Sequence, residues 1–563
     1  MVVDNQKITS LLNNKHFWKV QEMLVSEKNA LKDQQEIAAI QARIDEVFTL
    51  IKKQAETNSM PAKLTFGTSG WRAIIGEDYT VSNVERVTQA VVDMMKTDEF
   101  LKEIGVTSFE EVQSMGGLLG FDSRFMGHEF ATAAAQVLAG NGIKIYYAGM
   151  ATTPELSAAV VELKCAFSIN LTPSHNPFQW AGYKFNPSDG GPAGPNLTEI
   201  IEQKYSLILE TAKVIGDKHF AWQQVDTIDL YKQFLLKRNS VVILDDLVKK
   251  INNSDIFLAF DNVNGATRGR LERLLNGVDP RKISYLRTNT DYLFGGVKPE
   301  PSSGNMQLVM NELKLHSNKF KIGAIMDPDG DRVRVTDGVE EIEMNFFGAM
   351  VLYYLHKVKG LQGILAKSVA TSNFANAVAD RFGLEIRETA VGFKEFRPYL
   401  KEDAREKAIV AFEESDGITM QNHTLEKDAL IGALLAIMMV IDIGKSLSEI
   451  RKEVQDFAGT YYPGRGGKEV DRSLSGLPLQ EKLRLLNKYK PGKTVLVDSK
   501  EKTIKKDLTL DGYKFVFEDN SWLLIRPSGT EPKVRFYVEG RSEAEMEKLF
   551  HTAEHLLSEC LSS

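Results

Sequence analysis

The chain has 563 residues, 43% of them apolar and 26% charged, which at roughly 150 residues per domain predicts about four domains. A net charge of −7 argues against nucleic acid as the main partner, and no run of about 18 apolar residues offers a membrane span. Two cysteines, Cys165 and Cys560, give no disulfide framework, and the N-terminal MVVDNQKITSLL lacks a secretory pattern, so a reducing, cytoplasmic setting is expected.

In chain order, residues 1–60 come first. Ile37, Ile40, Ile44, Val47 and Ile51 recur at spacings of 3, 4, 3 and 4, the apolar stripe of a helix. Such a stripe packs on its own chain or meets a second copy in a homodimer. Three later stretches share one design: GLLGFDSR (117–124), DIFLAFDNVNG (255–265) and GILAKSVATS (363–372). Each is a short apolar run closing in turn residues ahead of a predicted helix, the strand–turn–helix unit of α/β domains. They predict three related α/β domains over 61–225, 226–343 and 344–460. The last segment, 461–563, is rich in β-branched and aromatic residues and ends in an amphipathic helix, which predicts a smaller α+β domain.

The chemistry sits in the turns. In LTPSHNPFQW (171–180) the preceding Cys165, Phe167, Ile169 and Leu171 alternate with smaller or polar residues, predicting a half-buried strand with Ser174 at its end, where α/β proteins place their sites. Ser174 beside His175 is no catalytic dyad by adjacency, and no G-x-S-x-G elbow is present, so on its own the serine reads as a turn residue. In MDPDGDRVRV (326–335), Asp327, Asp329 and Asp331 at i, i+2 and i+4 fall on one side of an extended segment. Three carboxylates that close need a cation, and oxygen-only ligands favour Mg²⁺ or Ca²⁺. An EF-hand is excluded, because its sixth and twelfth positions would be Arg332 and Gly338. AFEESDG (411–417) places Glu413 and Ser415 on one side of an extended loop, suited to sugar hydroxyls. HTLEKDAL (423–430) sets Lys427 beside Asp428, and both stretches also read as solvated loops. YPGRGGKEV (462–470) lacks P-loop spacing and reads as a linker. RPSGTEPKVRFY (526–537) combines the Arg526 fork, the hydroxyls and exposed amides of Ser528, Gly529 and Thr530, and the charges of Lys533 and Arg535, the makings of a phosphate nest.

In this order, TFGTSGWRA (65–73), LTPSHNP, DPDGDR, TAVGFK (389–394), FEESDG, HTLEKDA and RPSGTEP resemble the α-D-phosphohexomutase superfamily, the phosphoglucomutases and phosphomannomutases, from about residue 61 onward. The resemblance implies four domains around a central cleft and a phosphosugar substrate. It implies a hexose 1-phosphate/6-phosphate mutase that runs through a bisphosphate intermediate and needs catalytic amounts of hexose 1,6-bisphosphate. It further implies phosphoserine at Ser174 and one Mg²⁺ held by Asp327, Asp329, Asp331 and a phosphate oxygen of residue 174. Arg72 and His175 join the active site, and Lys184 and Lys427 become proton-transfer candidates. Thr389, Gly392, Lys394, Arg332, Glu413 and Ser415 would face the sugar. Arg526, Ser528, Gly529, Thr530 and Arg535 would hold the phosphate that stays. Phe412, Asp416 and Pro173 stand where the family more often has other residues, and residues 1–60 have no counterpart in the motif set.

Overall fold

The computed structural model describes residues 5–67, 70–471, 477–527 and 533–562. They form two compact units, one running to Glu341 and including His423–Ile437, the other holding Ile342–Asn422 and Met438 onward.

The first unit opens with helices Asn5–Asn13, Phe17–Ala30 and Gln34–Thr57. Asp33 caps the third by accepting from the amides of Gln35 and Glu36. Ile40, Ile44, Val47 and Ile51 are buried, with Ile37 half-buried beside them. They belong to the same apolar core as the first sheet, so the stripe packs on its own chain. The first sheet runs Trp71–Ile74, Trp180–Pro187, Phe167–Leu171, Gly117–Phe121, Ile145–Met150 and Gln223–Gln224. Its inner strands are parallel, and the first two run antiparallel to their neighbours. Phe167–Leu171 is buried at every position rather than alternately, because it lies mid-sheet with helices Gly127–Gly140 and Thr153–Glu162 against it. The second sheet centres on Ile256–Asp261 and Phe320–Met326, paired in parallel, with Val333–Thr336 folding back on the latter.

The second unit holds two sheets. In one, Ile386–Thr389, Ile364–Ser368 and Ala408–Glu413 are parallel and Gly417–Met420 is antiparallel. The other is a six-stranded antiparallel sheet with helix Glu543–Ser562 against it. Its outer strand is Tyr462–Glu469, paired along its length with Lys533–Gly540. The predicted linker is therefore a strand. Its glycines mislead because a Cβ at Gly464 would meet Met546 and Phe550 of the helix at 2.6 Å, so they are packing residues rather than hinges. Among the described residues no single helix is long and apolar enough to cross a membrane.

Candidate active site

Ser174 stands one turn beyond the Phe167–Leu171 strand, 1% exposed and in the left-handed region at φ 60°. That conformation is uncommon for a side-chain-bearing residue, and the surroundings impose it. The register sets Phe121 beside Leu171, so Asp122 and Thr172 leave the sheet together and bond at 2.7 Å. The Thr172 hydroxyl then accepts from the Ser174 amide at 2.9 Å. Buried Arg124 finishes the loop. Its guanidinium donates to the carbonyls of Ser174, Asn176, Pro177 and Trp180, while its Nε donates to Asp122 at 3.1 Å. Arg72, on the strand Trp71–Ile74, donates to Asn176 Oδ1 at 2.8 Å. The His175 ring lies 3.4 Å from Ser174 Oγ, and burial, with Arg332 and Arg72 nearby, keeps it neutral by lowering its pKa well below the ordinary value.

The Ser174 hydroxyl donates to Asp327 Oδ2 at 2.8 Å. Asp327, Asp329 and Asp331 are all buried, and each offers a carboxylate oxygen within 4.8 Å of the others. They converge through a tight turn rather than an extended segment. Gly330 takes φ 66°, its amide returns to the Asp327 carbonyl, and Val333 pairs back onto Met326. A Cβ at Gly330 would lie 2.9 Å from the methyls of Thr152 and Thr267. The donor set fits a hard divalent cation on two observations. All three ligands are carboxylates, and Asp329 Oδ1 is buried with no hydrogen-bond partner among the described residues. Burial and the charges of Asp329 and Asp331 push the Asp327 carboxyl well above its usual range. Asp331, which burial alone would raise, is held well below it by Lys184, Lys427 and Arg332.

Lys184, from the strand beside the serine strand, bonds Asp329 at 2.6 Å and Asp331 at 3.0 Å. Burial pulls its pKa down, but the Asp329 and Asp331 carboxylates outweigh burial and raise it above the ordinary lysine value. Lys427 lies 3.2 Å from Asp331 Oδ2, and Arg332 Nε 3.8 Å from Asp331 Oδ1.

In the second unit, Glu413 ends its strand and pairs with Gly417 across a hairpin turn in which Asp416 takes φ 71°. Glu413 and Ser415 thus sit on a tight turn, not on an extended loop. The Glu413 carboxylate accepts from the Gly392 amide at 2.7 Å, which joins the FEESDG and TAVGFK stretches. Thr389 ends a strand of the same sheet, one strand removed from that of Glu413, and Lys394 lies in the helical turn Phe393–Phe396. Asp511 accepts from the Val391 amide and from Arg526 Nε, tying that same loop to Arg526. Arg526 and Arg535 are cross-strand partners, like charges side by side that an anion would relieve. Ser528, Gly529 and Thr530 lie outside the described residues.

Four domain models of one family match: Phosphoglucomutase/phosphomannomutase alpha/beta/alpha domain I over residues 63–211, domain II over 238–340, domain III over 344–457, and the C-terminal domain over 482–555. The chain belongs to the phosphoglucomutase/phosphomannomutase family. It is similar to the phosphoglucomutase of Staphylococcus aureus (strain bovine RF122 / ET3-1), 25% identical over 86% of this chain and 90% of that one. A Thermus thermophilus structure described as a putative phosphomannomutase is 28% identical, with a TM-score of 0.71 over 89% of this chain and 100% of that one. The open form of the Paramecium phosphoglucomutase parafusin, 21% identical, shares the fold with a TM-score of 0.70 over 90% and 96%. The enzyme is thus a phosphosugar isomerase of the phosphotransferase type.

Several residues of this mutase site escaped the sequence reading. Asp122 and Arg124 sat in a stretch read only as a strand end, although Asp-x-Arg at the carboxyl end of the strand beside the serine strand is a signal for that place. Thr153 and Asn170 support Asp329, the threonine hydroxyl donating to its carboxylate at 2.7 Å. His423, Asp428 and Tyr231 form a buried cluster next to Lys427, with Asp428 2.7 Å from His423 Nε2 and 2.6 Å from the tyrosine hydroxyl.

Proposed function

We propose that the enzyme interconverts hexose 1-phosphate and hexose 6-phosphate, with glucose as the preferred sugar and Ser174 as the phosphoryl carrier. The observation that carries this reading is the buried Ser174 hydroxyl 2.8 Å from Asp327 in a three-carboxylate cluster. A phosphoserine with nearly two negative charges is tolerated beside three aspartates only across a cation. Mg²⁺ held by Asp327, Asp329 and Asp331 would supply charge neutralisation on the phosphoryl group being transferred.

The chain's own residues divide the remaining work. Arg124 fixes the backbone that carries Ser174, and Arg72 steadies Asn176 on the same loop. The phosphoryl group leaves Ser174 Oγ as the P–O bond to serine breaks, and a new P–O bond forms to a sugar hydroxyl, whose proton passes through a base to the departing serine oxygen. Lys427, 3.2 Å from Asp331, and Lys184, between Asp329 and Asp331, are the candidate bases. The bisphosphate then returns its other phosphoryl group to Ser174, so the enzyme ends as it began, and catalytic hexose 1,6-bisphosphate keeps it primed. Arg526, Arg535 and the loop between them take the phosphate that stays; Glu413 and Ser415, with Thr389, Gly392 and Lys394, meet the sugar. Glucose is supported by the EES stretch and the curated phosphoglucomutase relatives. The test is turnover on glucose 1-phosphate, mannose 1-phosphate and glucosamine 1-phosphate, each with a trace of its bisphosphate. The highest kcat/KM on glucose 1-phosphate is expected. A mannose or glucosamine preference would overturn the sugar assignment, and no turnover on any would overturn the mutase reading.

A further inference from the structure

We infer that the N-terminal helices are a positioning element for the catalytic serine loop, with Trp18 and Phe48 as the residues that brace it. The inference rests on reading Ser174 as the phosphoryl carrier, and it gives a role to the segment without a counterpart in the motif set. Trp18 and Phe48 are buried, and their rings meet edge-on at 6.2 Å. The other contacts of this pair lead to the serine loop by two routes. Along the first, the Trp18 ring lies 5.8 Å from Phe178, which is four residues past Ser174 and itself buried. The Trp18 indole N–H donates to the Ile75 carbonyl at 2.8 Å, and the Ile75 amide donates to Gln179 O at 3.0 Å, on the loop itself. Along the second, Phe48 packs 4.4 Å from Phe125, the residue after Arg124, and both rings meet Tyr292.

A third contact closes the arrangement. Asn29 donates to the Gly295 carbonyl at 2.8 Å, and Phe294 beside it lies under the Arg124 guanidinium at 5.0 Å. Arg124 is the residue that holds four carbonyls of the loop. The extension therefore touches both the loop and the neighbours of its holder. Stiff aromatic side chains lose little entropy when fixed, so such contacts suit a wall behind a strained residue. Without the wall, Phe178 and Phe125 lose packing partners on one side, and the left-handed Ser174 loses part of what imposes its conformation.

The test uses the full-length enzyme with Trp18→Ala, Trp18→Phe and, as a control for general destabilisation, Ile251→Ala, a buried position in the helix Leu244–Asn253. Hydrogen exchange over residues 172–180 reads the loop directly and needs no activity. We expect exchange there at least about tenfold faster in Trp18→Ala, unchanged in Ile251→Ala, and largely restored in Trp18→Phe. In the same samples kcat should fall about tenfold in Trp18→Ala with KM within twofold, since displacement of reacting groups by a fraction of an ångström is costly to rate. Should Trp18→Ala fail to fold, Phe48→Leu, which keeps apolar bulk but loses the ring stack, is read the same way. Unchanged exchange over 172–180, or equal loosening in Ile251→Ala, would overturn the inference. A wild-type enzyme that turns over independently of Ser174 would instead overturn the proposed mechanism, and the exchange result would still decide the brace.

Discussion

Replacing Arg124 by methionine removes the side chain that holds four carbonyls of the serine loop. The guanidinium is buried, bonded to Asp122 and to four loop carbonyls. Removing the cationic partner of a buried pair, which leaves Asp122 only the Thr172 hydroxyl and a backbone amide, costs about 3–5 kcal/mol. The carbonyls lose donors as well, but they can recover water, so about 4 kcal/mol is the expected loss of stability in that unit. Function should suffer more specifically. A loop shift of about 1 Å at Ser174 is enough for a roughly 100-fold fall in kcat. KM should move less than about threefold, because Arg124 acts on the loop that carries the phosphoryl group and not on the grip proposed for the retained phosphate. Arg124→Lys supplies a charge for Asp122 but not the planar fork that reaches four carbonyls, so it should recover stability better than rate. Steady-state kinetics and denaturant unfolding on both variants check this. An Arg124→Met enzyme that folds and keeps kcat within twofold of wild type would refute the reasoning.

Chelation should abolish turnover, with Mg²⁺ restoring it better than Ca²⁺, and Asp329→Asn should lose activity by charge at nearly constant volume; normal metal-free turnover of that variant would contradict the site. Arg526→Lys keeps the charge but loses the fork, so KM should rise about 10- to 150-fold and more bisphosphate should escape per turnover, measured by coupled assay and by counting released bisphosphate. Buried Lys514 donates to the Val369 carbonyl and lies 4.1 Å over Trp522, and burial lowers its pKa to about 7. An unfolded lysine titrates near about 10.4, so between those values the unfolded chain binds more protons, and stability should rise as pH increases from about 7. Lys514→Met should flatten that rise in unfolding measurements across pH 7–9.

How much was legible in advance follows from how local each feature is. The aspartate turn carries its chemistry in consecutive residues, so spacing exposed it, whereas the serine loop read as a plain turn until the ordered motif set supplied the family resemblance. The geometry of the aspartates was not legible: their convergence depends on Gly330 adopting a positive φ beneath Thr152 and Thr267, which come from distant segments. The Lys184 charge state was equally hidden, since a raised or lowered pKa depends on which carboxylates the fold brings up. Tyr462–Glu469 was misread because glycines that admit a helix look like glycines that loosen a chain. Arg124 escaped because its partners are backbone carbonyls 50 to 56 residues away, which leave no mark on side-chain patterns. The N-terminal stripe was recognised as a helix face, but periodicity does not say which surface the face meets.

The most direct measurement is peptide mapping of the enzyme after brief incubation with hexose 1,6-bisphosphate. One HPO₃ group, about 80 Da, should appear on Ser174 and should be lost on chasing with excess hexose 1-phosphate, at a rate no slower than kcat. Phosphate at another residue with Ser174 bare, together with full activity of Ser174→Ala, would contradict the account.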